Sequence, residues 1–186
     1  MVGVNMQRRP GDAWDDPAKD IAKVIQWVAQ NISRYKGNPG RVFMWAQSAG
    51  NVPVGTYMGH SDFYGPKGVG LKGVVFHCFS GSAEQAKQLL DRGYYLSFTG
   101  VVTFKNADAT RAAARAVPLD RLMVETDAPY MSPEPMRKQK PNEPALMVYT
   151  AELLAELKGV SLDNLAQATT RNASEFFRLT RSGRAV

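Results

Sequence analysis

At 186 residues the chain has the length of one ordinary domain, enough for a real core but short for a closed eight-stranded α/β barrel, which takes about 200 residues or more. Its 44% hydrophobic content is that of a globular protein; no apolar run approaches the ~20 residues of a membrane span and no basic-apolar leader opens the chain, so a membrane partner is not expected. The single cysteine, Cys78, excludes an internal disulfide and suits a reducing, cytoplasmic setting, while 23 basic against 17 acidic residues leave a net charge of +6.

Val2–Asn5 is a short strand candidate, and Asp16-Pro17 supplies an N-cap followed by proline in the first helical turn. Ile21, Val24, Ile25, Val28 and Ile32 recur at helical spacing, which predicts an amphipathic helix from about Pro17 to Tyr35. Gly37-Asn38-Pro39-Gly40 stops it, Arg41–Ala46 reads as an apolar strand, and Ser48 sits at the turn into a helix that tolerates Pro53 only in its first turn. The glycine-rich run Gly68–Gly73 leads into a strand over Val74–His77. Ser82–Arg92 is a helix opened by a Ser82/Gln85 capping box and closed by Gly93. A strand over Tyr94–Phe98, a helix over Asp108–Ala116 and a strand over Leu122–Glu125 follow. The end is helical: Glu143–Lys158 stopped by Gly159, then Ser161 to about Ala168, then about Asn172 to Leu179.

Strands alternating with helices predict one α/β domain over 1–186, with a mostly parallel sheet of about five strands. An open sheet or part-barrel is expected rather than a complete barrel. Residues 181–186 form a tail.

Two catalytic patterns stand in this frame. Ala46-Gln47-Ser48-Ala49-Gly50 places a serine on a sharp strand-to-helix turn between small residues, the logic of a nucleophile elbow. With Asp15-Asp16, Trp27-Val28, Asn31-Ile32 and the run Tyr35–Phe43, the segment of residues ~2–74 resembles α/β-hydrolases of the carboxylesterase type. That resemblance implies a nucleophilic Ser48. It also implies an oxyanion loop before Val2 and a later acid and histidine, and none stands at a matching position. His60 and His77 are the only histidines available as a base.

The second pattern runs from about Gly73. Val75-Phe76-His77-Cys78-Phe79-Ser80-Gly81-Ser82, Tyr95–Gly100, Val117–Leu122, Glu125-Thr126-Asp127-Ala128-Pro129-Tyr130 and Asn142-Glu143-Pro144-Ala145 occur in order. Residues ~73–180 resemble the C-terminal part of the TatD-type metal-dependent deoxyribonucleases, which are α/β barrels with the site at strand C-terminal ends. The resemblance implies that His77 and Asp127 are metal ligands and that Asp127 polarises water. It implies a divalent ion (Mg, Mn or Zn), held weakly or not at all, and DNA as a partner. Arg137 and Lys140 would then meet phosphate.

The family's remaining ligands come from a His-x-His-x-Asp strand, a Gly-Glu-x-Gly strand and a further histidine, and the segment before Gly73 has none at matching positions. Two ligands rarely hold a catalytic ion. The plainer alternatives stay open: His77 as a hydrogen-bonded strand-end histidine, Asp127 as a cap for the turn before Ala128-Pro129, and Glu125 as a structural partner. For Arg137, Lys138 and Lys140 the alternative is a solvated loop.

The sequence therefore predicts a TatD-like metal-dependent hydrolase of phosphodiesters with an incomplete site and little or no turnover. The alternatives are a serine carboxylesterase-like hydrolase using Ser48, and a non-enzymatic fusion or engineered chimera joined between an α/β-hydrolase-like 1–72 and a TatD-like 73–180. An uncovered sheet edge or face would favour a homo-oligomer.

Overall fold

A computed structural model describes residues 15–40, 42, 44, 51–59, 73–177 and 179. The chain divides into two compact units, Met1–Val74 and Val75–Val186.

In the first unit, helix α1 spans Asp16–Asn31, and a 3-10 turn, Ile32–Tyr35, extends it. Of the predicted stripe Ile21 and Ile25 are buried, joined by Ala18, while Val24, Val28 and Ile32 are half-buried, and the helix packs against α2, Asn51–Gly59. The start differs from expectation by one residue. Asp15 occupies the N-cap with helical backbone angles and makes no side-chain cap. Lys19 instead draws the carboxylates of Asp15 and Asp16 to 3.0 and 3.1 Å. Lys36 ends the 3-10 turn in the left-handed region, φ 62°, just ahead of Gly37. Pro53 is the third residue of α2, within its first turn. The expected strand over Val2–Asn5, Ser48 with its elbow, and His60 lie outside the described residues. So does most of Arg41–Ala46, whose described members, Val42 and Met44, belong to no strand.

The second unit carries the sheet. Strands β1 (Val75–Phe76), β2 (Tyr95–Phe98) and β3 (Leu122–Val124) are parallel and ordered β1-β2-β3, three strands among the described residues where about five were expected. Val75 pairs with Tyr95 and Leu96 with Leu122. Parallel strands need helical crossovers. These are α3 (Ala83–Leu90) between β1 and β2, and α4 (Asp108–Ala116) between β2 and β3. Then α5 (Met147–Lys158) and α6 (Leu162–Phe177) close the unit, α6 lying on β3.

Local chemistry sets most boundaries. Ser82 and Gln85 form the predicted capping box, each side chain bonding the other's backbone N–H. Such a cap contributes about 1 kcal/mol. Gly159 ends α5 in the left-handed region, φ +64°, with its N–H on the last-turn carbonyls. The core is the middle strand and what covers it: Leu96, Phe98, Leu122, Leu154 and Leu165 are fully buried, with Ala113 and Ala114 letting α4 approach. Each large side chain contributes about 1.5–3 kcal/mol by leaving water.

One helical expectation fails. The predicted break between Ala168 and Asn172 is absent, and α6 runs unbroken from Leu162 to Phe177. Asn172, the residue expected to start a new helix, is buried mid-helix, where its amide reaches the Leu119 and Leu122 carbonyls at 2.7 and 2.8 Å. The polar side chain is thus satisfied by the start of β3. A short 3-10 turn, Gly100–Thr103, was not foreseen after β2.

Candidate metal centre at the strand ends

The three parallel strands deliver their C-terminal ends to one rim. His77 follows β1, Thr99 follows β2 and Glu125 follows β3. The ladder persists just past the strands, with Phe79 N–H on Ser97 O at 2.9 Å and Glu125 N–H on Phe98 O at 3.0 Å. His77 and Glu125 come from strands that do not pair directly, so their side chains meet across the end of β2.

The imidazole is held between two carboxylates. Nδ1 of His77 lies 2.6 Å from Oε1 of Glu125, and Nε2 lies 3.6 Å from Oδ1 of Asp127. The same Glu125 oxygen accepts the Cys78 backbone N–H at 2.5 Å, which fixes the carboxylate on a second side. With a hydrogen donated from Nδ1 to Glu125, the other ring nitrogen, Nε2, faces Asp127. This is the arrangement by which an outer carboxylate orients a ligating histidine. All three side chains are mostly shielded from solvent, with exposures of 18%, 25% and 17% for His77, Glu125 and Asp127.

Backbone geometry aims these groups. Cys78 and Asp127 sit at φ 49° and 54°, in the left-handed region that L-residues other than glycine, asparagine and aspartate seldom adopt. The turn after Asp127 is capped by Thr126, whose hydroxyl accepts the Ala128 N–H at 3.2 Å, and Tyr130 N–H closes onto Asp127 O at 2.8 Å. The capping role considered for Asp127 therefore belongs to its neighbour. Cys78 packs beneath, its Sγ 3.3 Å from the Thr99 hydroxyl. Burial pushes the Cys78 thiol pKa up; the charges of Asp127 and Glu125 add to this, and the Thr99 hydrogen bond opposes it.

The donor set fits two positions of a divalent ion. A separation of 3.6 Å between Nε2 and Oδ1 matches an imidazole and a carboxylate each about 2 Å from one centre. It fits no more than two: among the described residues no group of three His, Cys, Asp or Glu side chains is placed to hold a metal. Glu125 faces the opposite ring nitrogen, Nδ1.

A cavity of about 610 Å³ opens beside the turn, lined by Pro129, Tyr130, Met131, Arg137 and Lys140 among others. Arg137 lies over the Phe104 ring at 3.7 Å, and Tyr130 is 66% exposed. Arg137 and Lys140 thus line the same cavity. Sequence reasoning treated Glu125 as a structural partner and gave Asn142 no role. A signal for Glu125 existed, since residues two apart in an extended chain share a face and Glu125 precedes Asp127 by two.

A parallel α/β unit with an imidazole and carboxylates gathered at its strand C-terminal ends defines a class, that of α/β proteins whose sites are assembled at that rim. The chain belongs to the TatD related DNase family, whose model matches residues 62–178. The match begins ahead of Gly73, so the family segment takes in part of what the sequence suggested was a foreign fragment. The carboxylesterase-like and chimeric readings gain no support. Over 110 residues the chain is 53% identical to the uncharacterized metal-dependent hydrolase YcfH of Escherichia coli K12, covering 59% of this chain and 41% of that protein. Against the uncharacterized metal-dependent hydrolase YabD of Bacillus subtilis strain 168 the identity is 43% over 113 residues, covering 61% and 44%. The crystal structure of YjjV, a TatD homolog from Escherichia coli K12, superposes with a TM-score of 0.53 at 34% identity, over 57% of this chain and 40% of that one. The chain thus spans about two fifths of the length of the curated relatives it matches. No described helix is long and apolar enough to cross a membrane.

Proposed function

We propose that this chain carries part of a divalent-metal centre for phosphodiester hydrolysis, with DNA as the substrate class, in which His77 and Asp127 hold two positions of the ion. The observation that supports it is the His77 ring set between Glu125 and Asp127, one nitrogen locked and the other turned to a carboxylate. The family's description as DNases and the naming of its relatives as metal-dependent hydrolases support the reaction class.

A divalent ion bound there would polarise a phosphoryl oxygen and acidify a water, chemistry open to Mg, Mn or Zn. The residues do the rest. Glu125 holds the proton on Nδ1 so that Nε2 stays a donor to the ion. Asp127 supplies negative charge at the centre and an acceptor for a proton from water. Arg137 and Lys140 bind the phosphate backbone along the adjoining cavity, Arg137 with its guanidinium held over the Phe104 ring. With two protein donors the ion is weakly held, so occupancy requires millimolar metal and chelator removes it readily.

The test is cleavage of single-stranded DNA against Mn²⁺ or Mg²⁺ concentration, with calorimetry of metal uptake alongside. Metal-dependent cleavage lost in His77→Ala and Asp127→Ala supports the proposal. Cleavage that persists in chelator or survives both substitutions assigns the activity elsewhere, and absence of both cleavage and uptake leaves the chain a non-enzyme.

A further inference from the structure

Asn142 makes three hydrogen bonds, all to the turn that carries Asp127. Its Nδ2 donates to Thr126 O at 2.8 Å and to Tyr130 O at 2.5 Å, and its backbone N–H donates to Pro129 O at 2.9 Å. These acceptors flank Asp127 on both sides in sequence. The residue is 4% exposed, and its Oδ1 is buried with no hydrogen-bond partner. A buried acceptor without a partner is a cost that folding would ordinarily remove. An amide is needed here for its two hydrogens, and the oxygen accompanies them.

We propose that Asn142 is a positioning residue for Asp127: its amide clasps both ends of the Thr126–Tyr130 turn and holds the Asp127 carboxylate opposite Nε2 of His77. With Thr126 Oγ1 taking the Ala128 N–H and Asp127 O taking the Tyr130 N–H, the turn has little freedom left. The left-handed Asp127 backbone, φ 54°, is then over-determined by its surroundings, as a sparsely populated conformation must be. The proposal takes its functional meaning from the metal-centre reading, but its geometry stands independently of any ion.

Asn172 provides the internal control. It is also buried and also bridges two carbonyls through Nδ2, but those belong to Leu119 and Leu122, at the opposite end of β3 from the site. Asn142→Asp and Asn172→Asp each replace a double donor by a carboxylate facing two carbonyls, so both should destabilise the fold. Three readouts separate them in the full chain: amide exchange at Tyr130, the His77 ring resonances at fixed pH, and Mn²⁺ affinity by calorimetry. Asn142→Asp is expected to speed Tyr130 exchange at least tenfold, move the His77 ring signals and weaken Mn²⁺ at least tenfold. Asn172→Asp is expected to leave the exchange rate and the Mn²⁺ affinity within twofold of the parent and the His77 ring signals unmoved. Should an aspartate variant fail to fold, the serine variant, which keeps one donor, is measured at the same position and should show the same pattern in smaller degree.

Wild-type exchange and ring signals in the Asn142 variants, or equal changes in the Asn172 variants, would overturn the proposal. If the parent takes up no Mn²⁺, the metal-centre reading fails, and the exchange and ring signals still decide the role of Asn142.

Discussion

Glu125 shows how far one side chain can decide the chemistry of another. It touches Nδ1 of His77 and the Cys78 N–H, so it sets both the orientation of the ring and the entry into the next turn. Glu125→Gln keeps an acceptor but removes the charge and should weaken Mn²⁺ binding about 10–100-fold, the usual cost of losing an outer-shell partner. Titration calorimetry reads this directly, and unchanged affinity would show that the ring needs no such partner. Cys78 gives a pH prediction. Its thiol pKa is raised above the ordinary value of 9.0, by burial first, so less thiolate is present at any pH below that than in a free cysteine. Iodoacetamide should alkylate it slowly at neutral pH and faster only in the alkaline range. Between the unfolded and the folded thiol pKa the native state keeps a proton that the unfolded chain has lost, so this contribution to stability is lost as pH rises through that window.

At this scale the sequence drew attention to residues at strand ends more readily than to the contacts each one makes. His77 and Asp127 were visible because they stand in motif runs at strand ends. The duties of Thr126 and Asn142 were hidden because a turn cap and a clasp made from 16 residues away are tertiary facts.

Among the elements, the best-read were those whose own residues mark their faces and their stop. Helix α4 has the predicted bounds, Asp108–Ala116, because its apolar and polar faces separate cleanly and Pro118 stops it. The split drawn through α6 failed because Asn172 looks like a cap from its neighbours in sequence, whereas the Leu119 and Leu122 carbonyls, just before and at the start of β3, take its amide hydrogens. Another long-range contact of this type ties α5 to α4. Lys158 donates to the Ala114, Arg115 and Val117 carbonyls at 3.4, 2.7 and 2.6 Å, covering the open C-terminal end of α4. Lys158→Met should keep the aliphatic packing and lose about 1–2 kcal/mol, read as a lower urea midpoint with unchanged slope. Little change would mean that water replaces the ammonium without loss. Gly100, just past β2, lets the 131–133 segment pass close by: a Cβ there would run into the Met131 carbonyl oxygen and stand 3.0 Å from Pro133 N. Gly100→Ala should cost about 1–3 kcal/mol through overpacking against backbone. A thermal midpoint equal to the parent's would show that this segment yields freely.

For the whole molecule, the parallel α/β class was legible from the alternation of strand and helix patterns. Three of the about five expected strands form among the described residues, and the other two fall wholly or mostly outside them. The extent of the family segment, which begins at residue 62, was not legible, because motifs mark strand ends and not the glycine-rich approach to them. Parallel strands are ordinarily buried on both faces, and β1 and β3 are the outer strands of the described sheet. Sedimentation at micromolar concentration is expected to show dimers or larger species, and a monomer at every concentration would mean that these edges are covered within one chain.

The central claim is that His77 and Asp127 jointly hold a divalent ion. With two histidines in the chain, His60 and His77, the most direct measurement is a Mn²⁺ titration followed by paramagnetic broadening of their ring signals. If both residues hold the ion, the His77 ring broadens at lower Mn²⁺ than the His60 ring, and Asp127→Ala abolishes the difference. Equal broadening of both rings, or preferential broadening of His77 that survives Asp127→Ala, would contradict it.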